Sequence, residues 1–417
     1  MSRTSSLRLC GKIPFMANSF QASKHVAKMK GSSTLIAAQA AADMRARGID
    51  VIDLSVGEPD FDTPEFIKRY AWEGLEKGLT KYTATAGMTD FRNAIVEFYA
   101  RQFGADVKLN QVAASCGGKQ ALFNAACTLL NPGDDVLIPK PYWVTFPEIV
   151  TFCSANSVFI ETEDTDFILT ADEVSAAITD TTKLLIINSP SNPSGRVIPP
   201  DEMRRIVEVC ARRGVYVITD ECYLFFAYLP AKPFSLAILP DELRDYVCIA
   251  GSFSKTYAMT GWRIGYTVAN VEWTNAMIKL QSHSATHPTS FAQYACAKAL
   301  RNTEASMAAV TVMTSEYERR RDWFVPALNE INGFKCAMPE GAFYAFADVR
   351  GTFDERFKSS ADVADLLLRE AHIVVTDGDG FGADGFLRLS YATSMANLQR
   401  AVEKMKSIFG AKAAVPV

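Results

Sequence analysis

Hydrophobic and polar positions follow two different periods along this chain. Short apolar runs predict five strands, at 136–139, 157–160, 184–188, 216–219 and 246–250. Segments between several of these runs, such as 202–213, repeat apolar residues at helical spacing. Strands that are separated by helices favour parallel pairing with crossover connections. The pattern therefore predicts an α/β layered domain with a mostly parallel central sheet.

The regions on either side of this alternation carry other signals. A strand-like run at 52–56 leads into a turn-rich stretch, and a helix is predicted over 64–78 with Asp62 and Thr63 placed to cap its start. A second helix is predicted from about 90 to 103. Near the other end, a long charged helix over 314–332 precedes a smaller α+β tail.

These signals divide the chain into three parts. We expect an N-terminal arm with the first part of a small domain over 1–63, a large three-layer domain over 64–310 and a small C-terminal α+β domain over 311–417. A length of 417 residues suits two domains better than one core.

Composition narrows the class of protein. The net charge of -4 provides no basic field for nucleic acid, and no apolar run is long enough to cross a bilayer. Nine scattered cysteines without a CxxC pair predict free thiols in a reducing compartment, hence a cytoplasmic protein. Four histidines without clustered spacing make a metal site unexpected. The first 42 residues lack Asp and Glu, which is also typical of an organelle-targeting peptide, but we favour an N-terminal arm.

A lysine follows the last of the predicted strands, at the sheet edge where ligands gather. The chain there reads Gly251-Ser252-Phe253-Ser254-Lys255-Thr256. Ser252 and Ser254 can hydrogen-bond phosphate oxygens, and Arg263 can neutralise a phosphate dianion bidentately. A lysine after a strand is common, so it is the combination of Lys255 with the two serines and Arg263 that indicates a phosphate-containing ligand.

Three further loops follow predicted strands or precede a helix. Asp220 can pair with a protonated pyridine nitrogen and Tyr223 can reach a ring oxygen, although an ordinary helix cap and a packed tyrosine are the alternatives. Asn192 lies in a proline-fixed loop that turn chemistry alone would also explain. Gly117-Gly118-Lys119-Gln120 precedes a helix predicted to begin near Ala121, where backbone N–H groups favour an anion.

These loops, in this order, resemble the fold-type-I pyridoxal-phosphate aminotransferases, specifically the bacterial aspartate/prephenate branch. The resemblance covers about 28–409 and implies an aspartate aminotransferase-like fold. The stretches that carry it are Ser55-Val56-Gly57-Glu58-Pro59-Asp60-Phe61, Lys81-Tyr82, Gly117-Gly118-Lys119-Gln120, Pro141-Tyr142-Trp143-Val144, Asn192-Pro193-Ser194-Gly195, Ser252-Phe253-Ser254-Lys255-Thr256 with Gly261-Trp262-Arg263, and Arg388-Leu389-Ser390-Tyr391.

The resemblance implies a role for each matching residue. Lys255 would carry pyridoxal 5'-phosphate as a Schiff base and move the α-proton, with Asp220 and Tyr223 as the other catalytic residues. The implied cofactor-binding residues are Gly118, Lys119, Gln120, Trp143, Asn192, Asp220, Tyr223, Ser252, Ser254, Lys255, Arg263 and, from a second subunit of a homodimer, Tyr82. The implied substrate-binding residues are Gly57, Trp143, Asn192, Arg388, Lys119 and Lys30.

Alternatives stay open for four of these residues. Trp143 and Tyr82 could be packing aromatics, Arg388 could lie on the solvated face of a strand, and Lys30 could be a solvated residue of the arm. The expected activity is transamination between an amino acid, aspartate or glutamate, and a 2-oxo acid such as 2-oxoglutarate. Prephenate or aromatic substrates are further candidates. The alternatives are a C–S lyase, a cyclising synthase or an oxidase on the same scaffold, or a cofactor-binding regulator without catalysis.

Overall fold

The computed structural model describes residues 20–31 and 33–412 of the chain, with the side chains of 33–35 set aside. Its helices are α1 (Lys24–Lys28), α2 (Ser33–Ala46), α3 (Glu65–Glu76), α4 (Thr89–Phe103), α5 (Gly118–Leu129), α6 (Thr145–Phe152), α7 (Ala171–Ala177), α8 (Pro200–Arg212), α9 (Asp241–Arg244), α10 (Val271–Ser282), α11 (Ser290–Arg301), α12 (Thr303–Asn329), α13 (Ser360–Leu366) and α14 (Met395–Phe409). Its strands are β1 (Ile52–Asp53), β2 (Val112–Ser115), β3 (Asp135–Pro139), β4 (Asn156–Ile160), β5 (Thr182–Asn188), β6 (Tyr216–Asp220), β7 (Val247–Ser252), β8 (Gly265–Val268), β9 (Lys335–Cys336), β10 (Tyr344–Asp348), β11 (Ile373–Val374), β12 (Thr376–Asp377) and β13 (Phe386–Ser390).

Seven of these strands form the central sheet, in the order β2-β8-β7-β6-β5-β3-β4. Strand β8 pairs antiparallel with both of its neighbours, and the other pairs are parallel. Helices α5, α6 and α10 cover one face of the sheet, and α4, α7, α8 and α11 cover the other. Burial on both faces explains why β5, β6 and β7 read as continuous apolar runs. The predicted three-layer α/β fold is confirmed.

All five predicted strands are present, as β3 to β7, and each ends within two residues of its predicted limits. Because β5, β6 and β7 are parallel and in register, their carboxyl ends meet at one edge: Asn188 is paired with Asp220, and Asp220 with Ala250. The loops that carry the candidate residues therefore start from a common edge of the sheet.

Three helix predictions need correction. Helix α5 begins at Gly118 rather than near Ala121, so the glycine pair forms its start. Helix α12 begins at Thr303, well before the predicted start at 314. Asp62 and Thr63 do not cap α3, whose N-cap is Pro64 without a side-chain bond; the Thr63 hydroxyl donates to the Ala258 carbonyl instead, at 2.6 Å.

A second, smaller layer structure lies towards the end of the chain. Strands β12-β13-β10-β9 form an antiparallel sheet, and β1 pairs parallel with β11. Helices α12 and α14 pack on this sheet in a separate hydrophobic cluster. The domain limits at 63/64 and 310/311 stay a prediction; the latter falls inside α12, where Val310 joins the large cluster and Met313 the small one.

In the part of the chain described here, none of the helices has the length and apolar character needed to cross a membrane.

Candidate active site

A cavity of about 570 Å³ opens at the carboxyl edge of the central sheet, facing the small sheet. Twelve of the residues singled out in the sequence line it: Gly57, Gly118, Lys119, Trp143, Asn192, Asp220, Tyr223, Ser252, Ser254, Lys255, Arg263 and Arg388. Its size suits a small organic ligand together with a small cofactor.

Lys255 lies three residues beyond the end of β7 and points its amine into this cavity. The Nζ atom donates to the carbonyl oxygen of Gly57, which lies 198 positions away in the sequence. Burial lowers the pKa of Lys255, and the nearby Arg388 and Arg263 cations lower it further. A larger share of the amine is therefore neutral than in water, which is the form that attacks carbonyls and accepts protons.

Asp220 ends β6 and is only 6 % exposed. Its Oδ1 accepts from the Cys222 backbone N–H at 3.0 Å, while its carbonyl accepts from the Asn188 side chain at 2.8 Å. Burial raises the pKa of the carboxyl to about 6, against the effect of that backbone bond and of Lys255. A buried carboxyl with a single donor can still bind a cationic N–H group from the cavity. No helix follows Asp220, so the helix-cap alternative is wrong.

Arg388 lies on β13 and is 1 % exposed, so the alternative of a solvated strand face is wrong as well. Its Nη1 donates to Asn192 Oδ1 at 3.0 Å and its Nη2 to the Ser55 carbonyl at 2.7 Å. The Nε atom has no hydrogen-bond partner among the described residues. A buried guanidinium held by neutral acceptors is suited to bind an anion that enters the cavity.

The start of α5 forms an anion cradle with the β7 and β8 loops. A Cβ on Gly118 would lie 3.2 Å from Ser252 Cβ, and one on Gly117 would lie 2.6 Å from Arg263 Nη2. The glycines thus let the backbone approach a serine and a guanidinium closely. Free N–H groups at a helix start, together with an arginine, bind phosphate.

Two more lining residues pair with each other. Lys119 Nζ lies 4.9 Å above the Trp143 ring, in a cation–π contact. Burial lowers the pKa of Lys119, and the charge of Arg263 adds to this. Among the described residues, Lys119 has no carboxylate partner within ion-pair distance.

Tyr223, another lining residue, forms a buried pair of hydroxyl groups. Its hydroxyl lies 2.8 Å from that of Tyr344 on β10, and burial raises the pKa of both phenols. Both therefore stay protonated, and because one hydroxyl donates to the other, one hydrogen of the pair is left to donate to an oxygen in the cavity.

Three residues singled out in the sequence do not line the cavity. The Gln120 side chain turns back to accept from the Cys116 N–H at 2.6 Å. Tyr82 is 90 % exposed, with its ring edge-on to His287 at 5.7 Å. Lys30 is exposed and its backbone N–H donates to Glu148 at 2.9 Å. Within a single chain, these three lie outside the site.

Sequence reasoning missed Tyr344 and also the pair of Asp53 and Arg45, all of which line the cavity. Asp53 Oδ1 accepts from the Ser55 N–H at 3.0 Å and from its hydroxyl at 2.7 Å, and Oδ2 binds Arg45 at 3.1 Å. Ser55 is the residue whose carbonyl holds Arg388. The signal available was a carboxylate two residues before Ser55 in the strand-like run at 52–56.

Comparison with known proteins agrees with this geometry. The family described as "Aminotransferase class I and II" matches residues 49–405. A probable aspartate/prephenate aminotransferase of Aquifex aeolicus is 40% identical over 91% of this chain and 96% of its own length, and an aspartate/prephenate aminotransferase of Thermus thermophilus is 38% identical over 93% and 98%. A solved aspartate aminotransferase of Thermus thermophilus with maleate superposes with a TM-score of 0.89 at 37% identity, covering 94% of this chain and all of that one. The chain therefore belongs to the family of class I and II aminotransferases.

Proposed function

We propose that this aminotransferase exchanges an amino group between an acidic amino acid, aspartate or glutamate, and a 2-oxo acid such as 2-oxoglutarate, with pyridoxal 5'-phosphate bound at Lys255. The observation that carries the proposal is that Lys255, Asp220 and Arg388 open into one cavity although they come from the loop after β7, from the end of β6 and from β13. An amine, a carboxylate and a guanidinium are the groups needed for a carbonyl, a pyridinium and a substrate carboxylate.

The residues present fit this cofactor. The start of α5, Ser252 and Arg263 would hold its phosphate, where a Cβ on either glycine would be too close to its neighbours. Asp220 would hold the ring nitrogen, and Asn192 and Tyr223 the 3-oxygen. Trp143 offers a flat apolar face to the ring. When bound, pyridoxal phosphate supplies an electron sink for the pair left by the broken Cα–H bond.

Lys255 moves the proton in this reaction. Its neutral amine would accept the α-proton, because burial has lowered its pKa. The Gly57 carbonyl, which accepts from Nζ, limits the directions in which the amine can point. Asp220, when ionised, would stabilise positive charge on a pyridine ring that it holds.

Arg388 and Lys119 would divide the recognition of a dicarboxylate between them. Arg388 is fixed by Asn192 and Ser55 and would take the α-carboxylate in a fork. Lys119, above Trp143, offers a cation for a distal carboxylate. Names of relatives support a dicarboxylate substrate: several are aspartate or aspartate/prephenate aminotransferases, and one structure holds maleate, a dicarboxylate. Prephenate and aromatic amino acids are therefore the further candidates.

The full site requires a homodimer in this proposal. Tyr82 is exposed beside His287 and would reach the phosphate of the partner's site rather than its own. Lys30 stays a candidate for binding the substrate from the arm. The scattered cysteines without a CxxC pair support a reducing, cytoplasmic location in this proposal. If size-exclusion chromatography gives the mass of a monomer and that fraction has full activity, the proposed homodimer is contradicted.

The substrate assignment is tested with a panel of amino donors and 2-oxoglutarate. Aspartate is expected to have the highest kcat/KM. The glutamate formed from 2-oxoglutarate is measured by mass spectrometry. A lyase would release ammonia, and a regulator would release nothing; either result refutes transamination.

Lys119→Met then tests the proposed recognition of the substrate's distal carboxylate by itself. This substitution should lower kcat/KM for aspartate about tenfold, or about 1.4 kcal/mol, and leave kcat/KM for phenylalanine nearly unchanged. Lys183→Met is the matched control, because Lys183 makes a similar contact with the Tyr216 ring, at 5.3 Å, outside the cavity. Equal losses for both donors would mean that Lys119 serves only the cofactor.

A further inference from the structure

Two cysteine side chains touch each other away from the cavity. Cys127 lies on the last turn of α5 and Cys153 immediately follows α6, and their sulfurs are 3.4 Å apart. Both residues are half-buried and free. No other thiol pair in 20–31 and 33–412 is in hydrogen-bonding contact.

The two helices that carry these thiols both begin at the cavity. Helix α5 starts at Gly118 in the anion cradle, and α6 starts at Thr145, which lines the cavity. The helices pack against each other near the thiols, with the rings of Phe123 and Phe152 4.9 Å apart. Neither thiol lines the cavity, so the chemistry proposed above does not use them.

We infer that Cys127 and Cys153 form a reversible disulfide site, oxidised by a hydroperoxide and reduced again by a small thiol. The sulfurs have to approach from 3.4 Å to about 2.05 Å, the length of a disulfide bond. Their half-burial leaves room for a small oxidant, while fully buried thiols such as Cys210 and Cys248 are shielded.

Oxidation proceeds in two balanced steps. The Cys153 thiolate attacks the terminal oxygen of the hydroperoxide, the O–O bond breaks, and a sulfenic acid and an alcohol form, or water if the oxidant is hydrogen peroxide. Cys127 then attacks the Cys153 sulfur, the S–O bond breaks and water leaves. Together the thiols lose two electrons and two protons, and the hydroperoxide gains them.

The contact itself favours this division of roles. The two sulfurs are in hydrogen-bonding contact, and either thiol can be the donor. When Cys127 donates, the bond lowers the pKa of Cys153 and raises that of Cys127. The thiol with the lower pKa provides the attacking thiolate, and its neighbour resolves the sulfenic acid.

The bond would join α5 to α6 across 26 positions of the sequence. Constraining the unfolded chain in this way raises the free energy of unfolding. The midpoint of thermal unfolding should therefore be higher for oxidised than for reduced protein.

The experiment uses the holoenzyme and hydrogen peroxide. Free thiols are then alkylated, and the peptides are mapped by mass spectrometry without reduction. We expect one linked pair, containing Cys127 and Cys153 and lighter by two hydrogens than its separate peptides, that dithiothreitol separates. Complete alkylation of both cysteines after peroxide treatment would overturn the inference, and so would a mixture of linked partners.

Variants assign the two roles. In Cys127→Ser, a sulfenic-acid probe such as dimedone should label Cys153, and the oxidised protein should lose its gain in thermal midpoint. Cys210→Ser is the control: it removes a thiol buried on the other face of the sheet, and it should keep both the link and the gain. Loss of the link in the control would show that the link reports unfolding. Because the mapping starts from the unaltered chain, it stands even where a variant fails to fold.

Discussion

The two walls of the cavity are built in different ways. On the central-sheet wall, Asn188, Asp220 and the end of β7 lie side by side because the backbones of three parallel strands are paired in register. On the opposite wall, Arg388 is held by Asn192 and Ser55, which lie 196 and 333 positions away in the sequence. The first wall depends on backbone pairing, and the second on side-chain contacts between distant segments. Changes in the first should therefore affect chemistry, and changes in the second should affect substrate binding.

Lys255→Ala should have the largest effect. It removes the amine that carries the cofactor and moves the proton, and we expect kcat to fall by about 10⁴-fold or more. The thermal midpoint should stay within a few degrees, because the side chain of Lys255 makes one hydrogen bond in the protein. Lys77→Ala, an exposed lysine outside the cavity, is the control. Transamination by Lys255→Ala would overturn the assignment of the central-sheet wall.

Asp220→Asn should rank next, with a loss of about 10³-fold in kcat, because a neutral amide does not stabilise a cationic ring. Glu221→Gln is a close control: Glu221 is also buried, but its Oε1 accepts from Ser235 at 2.9 Å outside the cavity. Burial raises the pKa of Glu221 to about 8, so at neutral pH it is mostly protonated and resembles glutamine. Equal losses in both variants would mean that Asp220 is only structural.

The same carboxyl sets a pH dependence. Burial raises the pKa of Asp220 to about 6, so the carboxyl takes up a proton and loses its charge as the pH falls through that value. Affinity for the cofactor, measured by equilibrium titration of the apoenzyme, should therefore decrease below about pH 6 and level off above it. Asp220→Asn should lack this step.

Arg388→Lys tests the opposite wall. Lysine keeps the charge but cannot donate to Asn192, Ser55 and a carboxylate in one plane. We expect kcat/KM to fall about 100-fold, or 2.7 kcal/mol, with most of the change in KM. Arg196→Lys, outside the cavity, should leave both constants unchanged. A loss confined to kcat would show that Arg388 acts on the chemical step, against the division between the walls.

Asp53→Asn should give the smallest effect. The amide weakens the two bonds that fix Ser55 and so loosens the carbonyl that holds Arg388. A change of about 1 kcal/mol, or about fivefold in KM, is expected with little change in kcat. Arg45→Gln should change KM less, because the Arg45 side chain is 52% exposed and its ion pair is screened by water. A larger effect on kcat than on KM would contradict the proposal that Asp53 acts on Arg388 through Ser55.

The two walls also differ in how far the sequence predicted them. Strand ends and their loops are local signals, so Lys255, Asp220, Asn192 and the α5 start were found from short stretches, and the family resemblance was confirmed. Asp53 was missed because its partners Ser55 and Arg45 matter only through Arg388, which is remote in the sequence.

Two local errors have local causes. The start of α5 was placed three residues late because glycines usually end helices, whereas here the Gly117 φ of +84° precedes the first turn. Gln120 was assigned to the cofactor, but its side chain satisfies the Cys116 N–H at that same turn. Backbone groups left open at a helix start compete with a ligand for nearby side chains.

One helix belongs to both hydrophobic clusters. Val310 of α12 packs with the central sheet and Met313, about one turn further on, with the small sheet. The two layers are thus joined by an uninterrupted rod of 27 residues rather than by a flexible linker alone. Any change in the distance between the two walls would therefore bend α12 or shift its packing against one of the two clusters.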